Sequence, residues 1–363
     1  MIIAGARIEP FTLALRRPLS TARGRITERR GFLLHVTSAD GVGGCGEASP
    51  AYWLGEETLA RTAAGLERLV GRLARRPRLA TVREQFDADA LGLSPAVACA
   101  LDGALLDLEA RERGMGVAAL FGADPGAVVT AAALVGGSTA DAAGADAANA
   151  VARGFGAVKL KVGVAPLADE VTRIAAVRAR VGTVVRLRLD ANRAWTTAEA
   201  GAALDALAPY GIEYVEEPLR GFDPVALAML TGVTGVPVAV DESLRSSADL
   251  GRLLAAGARV HVVLKAARLG GMSRLVALAR QATQAGLPVV VTDAIESRVG
   301  IGVAVHAAAV VAARGAVPAA VGLGGAQLVA AAAALRTPEL GAVGPGYDVA
   351  PVAARGEAET ARG

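Results

Sequence analysis

The spacing of apolar residues along this 363-residue chain changes character near residue 56 and again near residue 127. In GFLLHVTSADGVGGCGEASP, 31–50, an apolar run meets a turn cluster from Ser38 to Gly44 and then a second short extended stretch. That pattern predicts an antiparallel strand pair. From about Glu56 the spacing becomes helical, and SPAVACALDGALLDLEARERG, 94–114, predicts a long helix with Ser94 as N-cap and Gly114 as its stop. Residues 1–115 therefore read as an α+β unit.

Beyond residue 127, short Val/Leu/Ala-rich runs alternate with amphipathic segments of helical period. In DEVTRIAAVRARVG, 169–182, Val171, Ile174, Val177 and Val181 share one side and the arginines lie elsewhere. Strand then helix, repeated, builds a parallel sheet. Predicted strand ends fall near Leu134, Lys161, Asp190, Glu216, Asp241, Lys265, Asp293 and Gly322, with steps of 27, 29, 26, 25, 24, 28 and 29 residues. Eight strands at nearly constant spacing are the rhythm of a (β/α)8-type barrel. An open doubly wound sheet is the alternative, but no G-x-G-x-x-G follows the first strand.

In such a barrel, chemistry gathers at the C-terminal strand ends. Five consecutive ends carry it: VKLKVG gives Lys161, VRLRLDAN gives Asp190, EYVEEPL gives Glu216, VAVDES gives Asp241 and VVLKAARLGG gives Lys265. Three neighbouring carboxylates repel one another unless a hard cation lies between them, so the set predicts Mg²⁺ or Mn²⁺ held by Asp190, Glu216 and Asp241. The two-residue period of a strand puts Lys159 on the face of Lys161, Arg188 on that of Asp190, and Tyr214 on that of Glu216. Glu217 falls on the other face. Lysines 161 and 265 flank the acids, and an amine beside a cation and a second lysine has its pKa lowered toward usable base strength.

Charge and composition narrow the classes further. Thirty-eight basic against 35 acidic residues leave a net charge of +3, spread along the chain, which argues against nucleic acid as a partner. RRPLSTARGRITERR, 16–30, is a local exception with six arginines and a single Glu28, suited to an anionic ligand. Cys45 and Cys99 have no metal or redox spacing and read as free thiols of a reducing cytoplasm. The N-terminus shows no signal-peptide pattern. Residues 303–335 are Ala/Gly-rich and interrupted by Pro318, so they read as buried helix, strand and helix of a soluble protein with no membrane partner. His35, His261 and His306 lack partner motifs and read as structural.

The set KLKVG, RLDANRAW, VEEPL, VDESLR and VVLKAARLGG resembles the enolase superfamily, muconate-lactonizing-enzyme subgroup, over nearly the whole chain. At finer level LRLDANRAWT, DESLR, GCGEASP and AIESRVGI are similar to the o-succinylbenzoate synthases of that subgroup. The resemblance implies an α/β fold: a capping α+β domain (1–115), a modified TIM barrel, (β/α)7β (116–326), and a C-terminal segment (327–363) packing back toward the cap. It implies a cytoplasmic lyase of menaquinone biosynthesis acting on a small dianionic cyclohexadiene carboxylate, and leaves a homo-oligomer open. Lys161 would remove the α-proton and Lys265 would act electrostatically. A Lys base with a metal-stabilised enediolate is the superfamily's general pattern and is not read from these residues. Lys159, Arg188, Asn192, Glu242, Glu296 and Ser297 would touch substrate or support the site, with Glu242 bonding Lys265. Arg23 and Arg25, on a basic loop closing over the barrel, would help hold the dianion. The rival reading is an N-succinylamino-acid racemase using both lysines as bases. Muconate cycloisomerase is a weaker rival, and so is dipeptide epimerase, because AVGLGGAQLV has no acid to hold a substrate ammonium.

Overall fold

The computed structural model describes residues 1–21, 24–54, 57–87, 89–314, 322, 328, 339–342 and 344–351. Its N-terminal layer is the antiparallel sheet β1 (Ile3–Thr21), β2 (Gly24–Ser38) and β3 (Gly43–Ala48), in that order. The described residues of the arginine-rich stretch are strand, not loop: they form the far end of the β1–β2 pair, which runs from Ile3↔Ser38 to Thr21↔Gly24 with register shifts between Ile3 and Gly5 and between Ala14 and Leu19. Against this sheet pack α1 (Leu59–Leu73), α2 (Leu79–Asp87) and α3 (Pro95–Glu112). Glycines 44 and 46 let α3 lie directly on β3, because a Cβ at Gly46 would come within 2.0 Å of the Ala100 carbonyl. Ser94 does precede α3, yet its hydroxyl donates to Glu57 rather than capping the helix.

After α4 (Val117–Leu120) and β4 (Val128–Thr130) the chain alternates strand and helix. The order is β5 (Ala133–Val135), α5 (Ala140–Ala152), β6 (Ala157–Lys161), α6 (Leu167–Val181), β7 (Arg186–Asp190), α7 (Thr197–Leu207), β8 (Ile212–Glu216) and α8 (Pro224–Val233). It continues through β9 (Val238–Val240), α9 (Ser247–Ala255), β10 (His261–Leu264), α10 (Ala266–Leu269), α11 (Met272–Gln284), β11 (Val289–Val291) and α12 (Arg298–Ala313). The strands form one curled parallel sheet in chain order from β5 to β11, and Gly322 bridges Thr292 in parallel at its far edge. Tyr214, Ala239, Val263 and Val290 fill its interior, while Val, Leu and Ala from both sheet and helices pack outside. Each fully buried Val or Leu contributes about 1.5–3 kcal/mol, so this ring dominates the barrel's stability. This is an enolase-like fold, a capping domain on a parallel-sheet barrel.

The C-terminal residues add β12 (Glu339–Ala342) and β13 (Val349–Pro351); β12 pairs antiparallel with β13 on one side and β4 on the other, a small sheet that the sequence pattern did not reveal. Tyr347 then reaches the cap, its N–H donating to Asp107 of α3 at 3.1 Å. His306 of α12 ties the same region together: Nδ1 accepts from the Ala118 N–H at 3.0 Å and Nε2 donates to the Asp348 carbonyl at 3.2 Å. Among the described residues no helix is long and apolar enough to cross a membrane.

Candidate active site

Strand register puts the predicted groups at two heights. Lys161 pairs with Asp190 and Asp190 with Glu216, forming one layer at the strand ends. Lys159, Arg188 and Tyr214 form the layer beneath. Asp241 and Lys265 each stand one residue beyond β9 and β10. Asp190, Glu216 and Asp241 are almost wholly buried, which a carboxylate tolerates only with partners.

Those partners are lysines. Lys161 Nζ donates to Asp190 Oδ2 at 2.7 Å and to Asn192 Oδ1 at 2.5 Å. Lys159 Nζ sits 2.7 Å from the same Asp190 oxygen and 2.7 Å from Glu216 Oε2. Lys265 donates to Asp241 Oδ2. Burial pulls the Lys159 pKa down, but the Asp190 and Glu216 carboxylates outweigh it and hold it well above the ordinary lysine value. Burial likewise raises Asp190, yet Lys159 and Lys161 together keep it far below the usual carboxylate range. Glu216 is the exception: burial and then the Asp190 charge push it up to about 8.

Glu216 Oε1 is also buried with no hydrogen-bond partner. A buried oxygen of this kind, between two further carboxylates and with no His or Cys in the set, suits a hard oxygen-seeking cation. Among the described residues no three such groups stand gathered closely enough to hold an ion as they are, because lysine ammoniums take the inner oxygens. A metal would therefore displace Lys159 or Lys265 from a carboxylate as it entered.

The supporting residues fall into place differently from the sequence expectation. Asn192, in a left-handed conformation at φ 45°, takes Lys161 with its oxygen and donates Nδ2 to Glu242 Oε1 at 3.0 Å. Glu242 thus bonds Asn192 rather than Lys265; burial and the adjacent Asp241 push its pKa up to about 7. Arg188 is fully buried below the carboxylates, bonded to Glu213 at 2.6 Å and stacked 5.1 Å from the Tyr214 ring, so it does not face substrate. Glu217, with φ 45°, accepts from the Asp241 N–H at 2.7 Å, from Arg193 Nε at 3.0 Å and from the Ser243 hydroxyl. It fixes the loops bearing Asp190 and Asp241.

Glu296 and Ser297 lie at the seam between cap and barrel. Ser297 is the N-cap of α12, accepting from the Val299 N–H at 3.1 Å, and its hydroxyl donates to Glu47 of β3. That is a structural duty, not a substrate contact. Glu47 also accepts from the Ser297 and Gly300 N–H groups and from the Ser49 hydroxyl. Arg29, fully buried, donates to the carbonyls of Ser49, Pro50 and Ile295 with its guanidinium 4.6 Å from the Trp53 ring. Glu296 is buried beside them, and burial together with Glu47 and Asp293 pushes it up to about 8. Sequence reasoning did not single out Arg29 or Glu47, although the GCGEASP segment marked the place. Arg25 is exposed on β2, and Arg23 lies outside the described residues. His35 pairs with Glu9 in the cap and His261 packs on Tyr214, so neither histidine is at the mouth.

Comparison with known proteins agrees with this architecture. The family model described as "Enolase C-terminal domain-like" matches residues 142–336, and "Mandelate racemase / muconate lactonizing enzyme, N-terminal domain" matches residues 4–122. A dipeptide epimerase from Cytophaga hutchinsonii, solved with Mg and the dipeptide D-Ala-L-Val, superposes with a TM-score of 0.79 at 28% identity, covering 85% of this chain and 84% of that one. The o-succinylbenzoate synthase of Mycolicibacterium smegmatis is 42% identical over 164 residues, 44% of this chain and 49% of that protein. The N-succinyl-L-Arg/Lys racemase of Bacillus cereus is 34% identical over 164 residues, 45% of this chain and 44% of that protein. The chain belongs to the enolase superfamily, in its muconate-lactonizing-enzyme subgroup.

Proposed function

We propose that this protein is a Mg²⁺-dependent lyase that dehydrates 2-succinyl-6-hydroxy-2,4-cyclohexadiene-1-carboxylate to o-succinylbenzoate in the cytoplasm. The observation that carries the choice of substrate is negative charge missing from one place. Between Glu296 and Glu339 the chain has no Asp or Glu, so the segment that brings Gly322 to the sheet edge contributes no acid of its own for a substrate ammonium. A succinyl-bearing carboxylate without an ammonium fits that edge. The identity to the Mycolicibacterium enzyme supports the same reading.

A divalent cation held by Asp190, Glu216 and Asp241 would, when bound, supply charge stabilisation for the enediolate. Lys161 takes the proton from the carbon bearing the carboxylate. Its ammonium then returns that proton to the departing hydroxyl on the same face as the C–O bond breaks, so water leaves and the ring becomes aromatic. Lys159, on the same face of β6 one layer below Lys161 and 2.7 Å from Asp190 Oδ2, adds positive charge beneath the site. Asn192 aims Lys161 from the side. Lys265, on β10's end beyond the arc of three carboxylates, supplies positive charge from the far side.

One observation favours a second reading. Lys161 and Lys265 bracket the carboxylates on β7, β8 and β9, which is also the arrangement for removing and returning a proton on opposite faces of an N-succinyl amino acid. Purified protein with Mg²⁺ given the diene, and separately N-succinyl amino acids in D₂O, decides between them. Formation of o-succinylbenzoate is expected. Much faster α-deuteration of the amino acids would hand the assignment to the racemase, and no turnover or exchange with either would sink both.

A further inference from the structure

Parallel strand β6 carries the base on its last residue, and its neighbour β5 is too short to hold that residue down. The β5–β6 register runs Ala133↔Val158, Leu134↔Lys159 and Val135↔Leu160, then stops. The Val162 N–H bonds the Asp190 carbonyl on the β7 side at 2.9 Å. Backbone groups alternate sides along a strand, so the Lys161 carbonyl points to the β5 side, where the ladder has ended. A buried carbonyl without a partner costs about 1–3 kcal/mol and leaves the strand end free to shift.

Arg173 of α6 fills that missing rung. Its Nη2 donates to the Lys161 carbonyl at 2.5 Å and its Nη1 to the Gly137 carbonyl, just past β5, at 3.2 Å. The guanidinium is paired with Glu170 one turn earlier, and both side chains are largely buried, 12% and 3% exposed. Glu170 in turn accepts the N–H groups of Val164 at 3.3 Å and Ala165 at 3.1 Å. The pair therefore grips the base residue's own backbone and the loop that follows it. Between them Gly163, at φ 77°, makes the turn; a Cβ there would lie 2.3 Å from the Ala194 side chain.

We propose that Arg173, set by Glu170, is a positioning residue for Lys161: it fixes the backbone from which the amine reaches substrate. The inference rests on Lys161 being the base of the proposed reaction. It predicts an effect on turnover rather than on binding, because Asp190, Glu216 and Asp241 stand on other strands.

The test compares wild type with Arg173→Met, Arg173→Lys and Glu170→Gln. Readouts are kcat per folded site for α-proton removal, KM, half-activating Mg²⁺ and thermal unfolding. Arg173→Met should lower kcat by about 10- to 100-fold with KM and Mg²⁺ dependence within about twofold, since a misplaced base costs rate steeply. Arg173→Lys, which keeps a donor for the Lys161 carbonyl, should return most of that loss. A kcat per folded site within about twofold of wild type in Arg173→Met overturns the proposal, as does a loss matched by equal changes in KM and Mg²⁺ dependence. If Arg173→Met does not fold, unchanged kcat in both Arg173→Lys and Glu170→Gln overturns it. Crystal structures of the variants supply an arm independent of any substrate. Lys161 Nζ should leave Asp190 Oδ2 while the three carboxylates stay in place, and an unmoved Lys161 refutes the idea even if wild type turns over neither candidate substrate.

Discussion

Two buried charged clusters lie within one fold and are built on opposite principles. At the barrel mouth, Lys159, Lys161 and Lys265 compete for carboxylate oxygens, two of them for one atom of Asp190, while Glu216 Oε1 has no partner. At the cap seam, Glu47 takes Ser49, Ser297 and Gly300, and the Arg29 guanidinium meets carbonyls from four residues beside Trp53. Around Glu47 and Arg29 donors meet acceptors, whereas at the mouth a carboxylate oxygen is left over. A buried polar network that holds a fold together uses up its donors and acceptors. One that leaves an oxygen over and stacks like charges is kept for something that arrives later, here a cation and an anionic substrate.

The sharpest way to break this contrast is to remove one charge from each cluster. Lys161→Ala should cut the chemical step by roughly 10²- to 10⁴-fold, the usual worth of a general base, while the unfolding midpoint stays within a few degrees of wild type. Single-turnover or proton-exchange rates measure the first and thermal melts the second. Glu47→Gln should behave in reverse. Leaving its ring of buried donors short of an acceptor charge should cost about 2–4 kcal/mol in urea unfolding, with kcat per folded molecule changed much less. A stable Glu47 variant, or an unstable Lys161 variant, would mean the two clusters do not divide the work as described.

The mouth was legible in the sequence because a barrel strand has period two and its chemistry sits at strand ends. Lys161, Asp190 and Glu216 could be placed by parity and rhythm alone, and the register puts them side by side. The seam was not legible, because its contacts join residues some 250 positions apart, as between Glu47 and Ser297. Ser297 looked like a substrate contact because it follows the seventh strand, and only the cap's carboxylate shows its hydroxyl to be spoken for. Glu242 illustrates a smaller error: the resemblance suggested Lys265 as its partner, whereas the left-handed turn at Asn192 brings that amide to it instead. The small β4–β12–β13 sheet escaped notice because its strands are three or four residues long and too short to show a period.

Acid offers a third, smaller lever on the structural side. His306, fully buried and bonded through both nitrogens as a neutral ring, is pushed by burial from the ordinary 6.5 down to about 4. The unfolded chain takes up that proton below pH 6.5 and the folded chain resists until about pH 4. The histidine's contribution is therefore complete above pH 6.5 and is lost as the pH falls through this window, roughly 3 kcal/mol in all. Stability measured by urea against pH should show this slope, and His306→Gln should flatten it. An unchanged slope would mean that His306 is not the group behind this loss of stability.

The smallest expected effect separates two arginines four residues apart on β2. Arg29 is buried among carbonyls, whereas Arg25 is exposed on the hairpin's outer part. If Arg25 helps gather a dianion, Arg25→Ala should raise KM by no more than about fivefold, because an exposed charge pair is worth about 0.2–1 kcal/mol, and should leave kcat and stability alone. The effect should fade as salt is raised to molar strength, where screening shortens to about 3 Å. Steady-state kinetics at low and high salt measure it. A KM that ignores both the substitution and the salt would assign Arg25 to solvation of the hairpin, and would leave the basic run divided between one structural arginine and a surface that does not take part in binding.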